Sequence, residues 1–148
     1  ILVEMSAVNT NHPVVNAVLN QKFHLAREQG TSMIFKVGDM SGMRLNEEET
    51  VILLSNLLDN AIHECLKVVK AGRKAVIYIK LVQEGGKIIF SVKNPVVEKV
   101  QITDGIVLDS NGGMHGIGLS NVKAVVDKYG GDFVISCDSE KFKAVVML

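Results

Sequence analysis

"NLLDNAIHECLK", Asn56 to Lys67, sits inside the longest helical pattern of the chain, and its reading decides the rest. From Glu47 to about Val69 the apolar residues fall on one face, with Leu54, Leu57, Leu58, Ala61, Ile62 and Cys65 recurring at helical spacing. Beside that face, Asn56, Asn60, His63 and Lys67 follow i, i+4, i+7, i+11 and form one polar line. Asparagine is a mediocre helix former because its amide competes for backbone hydrogen bonds. Two of them bordering a core weaken the helix unless their oxygens are wanted elsewhere. A neutral amide oxygen suits a Mg²⁺ ion that is otherwise held by waters and substrate phosphates, and His63 and Lys67 are placed to face such phosphates. The same spacing also describes an ordinary solvated flank, so the line alone does not choose.

Outward from this helix, "TNHPVVNAVLNQKFHLAREQG" (10–30) reads as a first helix, with Asn11 as the expected cap, Pro13 in the first turn and Gly30 as the stop. "SMIFKV" (32–37) is a short strand. "AVIYIKLV" (75–82) and "KIIFSVKN" (87–94) are strands joined at Gln83-Glu84-Gly85-Gly86, a hairpin signal. Residues 96–115 show no clean period, and a loop of that length in a small domain reads as a functional lid or a disordered segment. A last helix from Ile117 to about Tyr129 precedes the closing pair "DFVISC" and "FKAVVML" around Asp138-Ser139-Glu140. Helices spread among mostly hairpin-linked strands imply an α+β fold, a two-layer α/β sandwich with about three helices on one face of a mixed sheet. Two of the strand links are too short for crossovers, which argues against a Rossmann-type alternation.

The totals set limits. The 148 residues fit one domain with a full core. Lys plus Arg and Asp plus Glu are 16 each, a neutral balance that argues against general nucleic-acid binding. No apolar run is long enough to span a bilayer, and no signal-peptide pattern is present. Cys65 and Cys137 lack metal-ligand spacing and are expected to be buried thiols in a reducing compartment. The chain starts at Ile1 without a methionine, so a fragment of a longer protein is expected.

Two further features carry chemistry. In "KIIFSVKNP", Ile88, Phe90, Val92 and Asn94 share one strand face, apolar until Asn94. An amide at the edge of a core offers a donor and an acceptor, which matches the edge of a purine base or caps a turn before Pro95. In "GGMHGIGLSNVKAVVDKYGGD" (112–132), Gly116 and Gly118 stand where the last helix begins. There, free backbone amides and the positive dipole end favour an anion such as phosphate, although glycine also serves a turn.

"NLLDNA", a strand ending in Asn, a flexible loop, "HGIGLSNV" and "KYGG" occur in this order, and the combination resembles the ATP-binding catalytic domain of sensor histidine kinases. These belong to the GHKL ATPase superfamily, with its Bergerat-type ATP-binding fold, alongside gyrase and the mismatch-repair protein MutL. The resemblance runs from about Thr10 to Leu148 and is narrowest with the peptide-quorum-sensing branch. It implies a single ATP-binding catalytic domain over 1–148, with residues 1–9 as the tail of a preceding dimerisation helix and 96–115 as the ATP lid.

The resemblance also implies roles. Asn60 becomes the Mg²⁺ ligand. Asn56, His63 and Glu64 are the catalytic candidates, and Lys67 lies near the phosphates. Asn94 stands where relatives usually carry the Asp that bonds the adenine amino group, and no Asp-x-Gly-x-Gly is present. His115, Gly116, Ile117, Gly118 and Leu119 form the second glycine box, and Gly130–Gly131 make a structural turn. His63 occupies a position that usually holds Glu, with Glu64 one residue late, and Ala144 stands where many relatives have threonine.

The implied activity is binding of Mg-ATP and transfer of its γ-phosphoryl group to a histidine on a separate dimerisation domain, followed by passage to a response regulator. His12, His24, His63 and His115 are read as something other than that acceptor, which is expected to lie outside this chain. The resemblance further implies a homodimeric parent anchored in the membrane with this domain in the cytoplasm. The alternatives are a degenerate nucleotide-binding or protein-interaction module, and a GHKL-type ATP hydrolase. Hydrolase relatives place a water-activating Glu one turn before the Mg-binding Asn, where this chain has Asn56.

Overall fold

The computed structural model describes residues 9–99, 101–103, 106–108 and 117–148, with backbone alone for 101–103, 106–108 and Ile117. The elements follow the order α1 (Pro13–Glu28), β1 (Thr31–Val37), α2 (Glu47–Lys70), β2 (Ala75–Glu84), β3 (Lys87–Pro95), β4 (Gln101–Thr103), β5 (Ile106–Leu108), α3 (Ile117–Lys128), β6 (Asp132–Cys137) and β7 (Lys141–Met147). Five strands form one sheet in the order β1-β2-β3-β7-β6. β1 runs parallel to β2 and the other neighbours are antiparallel. The expected mixed sheet with helices on one face is therefore what forms. α2 packs between α1 and α3.

Strand alternation decides which residues meet the helices. Ile77, Ile79 and Leu81 of β2, Phe90 and Val92 of β3, and Ala144 and Val146 of β7 are buried against them. From the helices, Leu54, Leu57, Leu58, Ala61 and Cys65 enter the same core. Burial of this apolar surface, at roughly 25 cal/mol per Å² removed from water, holds the two layers together. The β2–β3 hairpin turns on Gly85 (φ 58) and Gly86 (φ 78), the left-handed pair that matches the twist of two antiparallel strands.

Three expectations need correction. The cap of α1 is His12, whose Nδ1 accepts from the Val15 amide at 3.3 Å. Asn11 instead takes a left-handed turn (φ 58) and its side chain donates to Asp39 at 3.2 Å. Inside 96–115, β4 and β5 pair antiparallel, so that segment contains a small ladder rather than an unstructured loop; three-residue strands are too short to show a period. Cys65 is buried, but Cys137, on the sheet edge strand β6, is only half-buried. Among the described residues no helix is long and apolar enough to cross a membrane.

The start of α2 and the end of α3 are closed by local chemistry. Asn46 accepts from the Glu49 amide at 2.8 Å while Glu49 accepts from the Asn46 amide at 3.0 Å, a complete capping box. Glu49 also receives Lys128 Nζ at 2.6 Å and the Tyr129 hydroxyl, tying the start of α2 to the end of α3. Lys128, then Tyr129 and the Asn46 amide, hold the Glu49 carboxyl down to about 2. α3 ends in a Schellman turn, with Gly130 N–H to Asp127 O at 3.1 Å and Gly131 N–H to Val126 O at 3.0 Å. A Cβ on Gly131 would stand 2.4 Å from the Met147 carbonyl oxygen, so the turn passes directly over the end of β7. This matches the structural role expected for Gly130–Gly131.

Candidate functional site

The polar line of α2 faces the first turn of α3. Asn56, Asp59, Asn60, His63, Gly118 and Leu119 line a cavity of about 300 Å³ between the two helices. Leu119 is buried and anchors the start of α3, while His63 is exposed at the rim. Asn56 turns its amide back along its own helix, donating to the Ile52 carbonyl at 2.8 Å. Its Oδ1 then lies where a Cβ on residue 118 would come within 2.7 Å. Glycine at 118 thus has a packing reason as well as a possible ligand reason: it lets the N-terminus of α3 close against Asn56.

Asn60 is the unusual member. It is buried, and its Oδ1 has no hydrogen-bond partner. Leaving such an acceptor unpaired costs about 1–3 kcal/mol. The core of the same helix satisfies its shape requirements with leucines, so a polar group retained here points to a ligand that supplies the missing partner. A neutral oxygen from one side chain fits a divalent cation whose other ligands are water and phosphate oxygens, which is the donor set Mg²⁺ prefers. The N-terminal turn of α3 forms the opposite wall, and the positive end of a helix dipole favours phosphate.

The remaining predicted residues are distributed around this cavity. Lys67 turns to Glu64, Nζ to Oε1 at 3.3 Å, and neither side chain lines the cavity. Glu64 is buried. Its neighbour Cys65 is wholly buried, and burial, reinforced by the Glu64 charge, pushes its thiol up to about 12, far from a reactive thiolate. Asn94 is also buried on the helix-facing side of β3, as strand alternation requires. Its Nδ2 donates to the Pro95 carbonyl at 2.9 Å, and its Oδ1 is a second unpaired acceptor. It borders a separate cleft of about 480 Å³ with Arg73, Lys74, Glu140 and Lys141. The amide is both a local turn partner and an open acceptor, so both readings of it survive. The backbone of α3 begins at Ile117. His115, Gly116, the side chain of Ile117, and residues 100, 104–105 and 109–115 of the expected lid lie outside the described residues, as do residues 1–8.

Asp59 is the cavity residue that sequence reasoning passed over. It stands three residues after Asn56 and four before His63, so helical spacing already placed it on the line. Its Oδ1 is held by Lys22 of α1 at 2.8 Å. That partner comes from another helix and leaves no trace in local sequence.

The GHKL domain family matches residues 45–148, from the cap of α2 to the end of β7. Solved structures with the same fold include the nucleotide-free catalytic domain of histidine kinase ThkA, 16% identical, with a TM-score of 0.69 and coverage of 95% of this chain and 93% of that one. The Acinetobacter baumannii histidine kinase AdeS is similar at 15% identity and TM-score 0.65, over 99% of this chain and 71% of that one. The histidine kinase domain of the Erythrobacter litoralis blue-light activated kinase EL346 gives 16% identity and TM-score 0.62, over 90% and 62%. No curated protein matches at the level of sequence. With the family covering α2, the sheet hairpin and α3 in one continuous match, the chain belongs to the GHKL domain family.

Proposed function

We propose that this chain is the ATP-binding catalytic domain of a two-component sensor histidine kinase, of the peptide-quorum-sensing branch. It binds Mg-ATP and hands the γ-phosphoryl group to a histidine on a separate dimerisation domain, from which a response regulator receives it. The observation that carries this reading is the unpaired Asn60 Oδ1 beside the N-terminal turn of α3. Membership of the GHKL family supports it.

In this reading Asn60 holds Mg²⁺, which when bound neutralises phosphate charge. Phosphoryl transfer asks the protein mainly for positioning and electrostatics. The amides at the start of α3 orient the phosphate chain, and Gly118 keeps that turn close to Asn56. His63 sits at the rim where phosphate oxygens meet solvent, with the next residue, Glu64, paired to Lys67 one turn further along. Asn94 meets the base. His115, Gly116, Ile117 and Leu119 complete the second glycine box, and residues 96–115 act as the lid that excludes water. Residues 1–148 are one domain, and residues 1–9 lead in from the dimerisation helix. The parent is a homodimer anchored in the membrane with this domain on the cytoplasmic side.

Asp59 bears on the choice between transfer and hydrolysis. Among the described lining residues it is the carboxylate, and Lys22 already engages it. A carboxylate held in an ion pair is a poor base for water, which favours transfer over hydrolysis. The test is calorimetric titration with a non-hydrolysable ATP analogue, with and without Mg²⁺, followed by transfer to an added histidine-bearing dimerisation domain. Mg-dependent binding that disappears in Asn60→Ala is the expected result. Absence of binding at millimolar analogue overturns the proposal in favour of a degenerate interaction module.

A further inference from the structure

Among the described residues, the sheet has one face against the helices and one face that no helix covers. On the uncovered face, strand register sets side chains in rows. One row runs Ile34, Tyr78, Lys93, Lys143, and the next runs Lys36, Lys80, Ser91. Lys93 therefore stands directly opposite Lys143, and Lys36 directly opposite Lys80. Like charges placed opposite each other across a sheet are destabilising. Relief is partial: Lys93 Nζ lies 4.9 Å from the centre of the Tyr78 ring, and Lys80 reaches Glu84 at 3.8 Å. Among the described residues no carboxylate pairs with Lys36, Lys93 or Lys143.

The same face carries large exposed apolar side chains, Ile34 at 49%, Tyr78 at 47% and Val134 at 54% exposure. The lysines and Tyr78 surround a depression of only about 190 Å³, too shallow to enclose a small molecule. Alternation adds Lys87 and Lys141 to this side, with Glu84 and Asp132 as its carboxylates. In a chain of formal net charge zero, this is segregation of positive charge onto one broad surface.

We infer that the uncovered sheet face docks on an anionic lipid bilayer. A flat array of ammonium groups matches the spread negative potential of acidic headgroups, each lysine near such a surface contributing attraction. Ile34 and Val134 stand on the two edge strands, with Tyr78, Lys80, Lys93 and Lys143 on the strands between them, and amphipathic side chains of this kind are favoured at a lipid–water boundary. Ile34 and Val134 gain an apolar layer to enter, which a nucleic-acid backbone would not offer. A second copy of the same face is excluded by like-charge repulsion. The cavity of Asn60 and Gly118 lies on the helical side, while Tyr78, Lys93 and Lys141 of this face also line the cleft that Asn94 borders.

The test is co-sedimentation of the chain with vesicles of phosphatidylcholine alone and of equal parts phosphatidylcholine and phosphatidylserine, with soluble polyglutamate as a competing acidic polymer. Wild type is expected to partition onto the serine-containing vesicles only, and to be released by salt. Lys93→Gln combined with Lys143→Gln lowers that partitioning by roughly tenfold or more. Its melting temperature is unchanged or raised, because a like-charge opposition is gone. Lys70→Gln combined with Lys123→Gln, on the helical side, leaves partitioning unchanged. Equal binding to both vesicle types, or full binding by the Lys93/Lys143 variant, overturns the inference. Tight polyglutamate binding without vesicle binding also overturns it and assigns the face to an acidic protein.

Discussion

Glu49 and Asn60 are both buried polar residues on α2, about three turns apart, and they are treated in opposite ways. Every oxygen of Glu49 has a partner: the Asn46 amide, Lys128 and Tyr129. Asn60 keeps its carbonyl oxygen unpaired. Glu49 fastens one helix to another, whereas Asn60 leaves an acceptor open beside a cavity and the first turn of α3. The contrast frames the proposal: Glu49 is complete within the fold, whereas the proposed role of Asn60 gives its open acceptor a partner from outside.

The widest separation between the two should come from Asn60→Ala. Binding of the ATP analogue with Mg²⁺ is expected to fall below detection in calorimetry, while thermal stability holds or rises, since the variant removes an unpaired acceptor that costs about 1–3 kcal/mol. A variant that unfolds but binds when folded would place Asn60 with Glu49 instead. Next in size is Gly131→Ala, which drives a Cβ to 2.4 Å from backbone at Met147 and 2.7 Å from Leu148. Overpacking of that kind costs about 1–3 kcal/mol, read as a lower denaturant midpoint with nucleotide affinity preserved.

A smaller loss is expected for Asn46→Ala, which removes half of the capping box and costs about 1 kcal/mol in chemical denaturation. Smallest at neutral pH, but visible in acid, is the titration of Glu49. Its carboxyl is depressed from 4.5 to about 2 in the folded chain. A depressed acid contributes its stability in full above the unfolded value, and that contribution is lost as pH falls through the window from 4.5 to about 2. Wild type should therefore lose stability across this window more steeply than Glu49→Gln. Parallel profiles for the two would show that Lys128 and Tyr129 draw nothing from the carboxylate charge.

Legibility followed the range of the interaction involved. The helical faces, the strand alternation that turns Asn94 inward and the hairpin glycines were all readable, because each repeats within a few residues. The cap of α1 was misplaced by one position because Asn11 and His12 both accept hydrogen bonds, and only the left-handed φ at Asn11 separates them. The β4–β5 ladder escaped because three-residue strands cannot display a period. At the site, the line of Asn56, Asn60 and His63 was visible as spacing, yet Lys67 bends away to Glu64 and Asp59 joins the cavity. Side-chain direction beyond Cβ depends on partners that spacing does not name.

The one-dimensional pattern alone determined the succession of helices and strands, the inward face of each, and the polar line on α2, since solvent sorts residues by periods of 3.6 and 2. Tertiary structure decided what no local period can encode. It joined Glu49 to Lys128 and Tyr129 across 79 and 80 residues, set Gly118 against Asn56, and ordered the strands so that lysines of β1 and β2, and of β3 and β7, stand opposite one another. Such contacts depend on how the layers close on each other, and their partners are chosen only when the chain is folded.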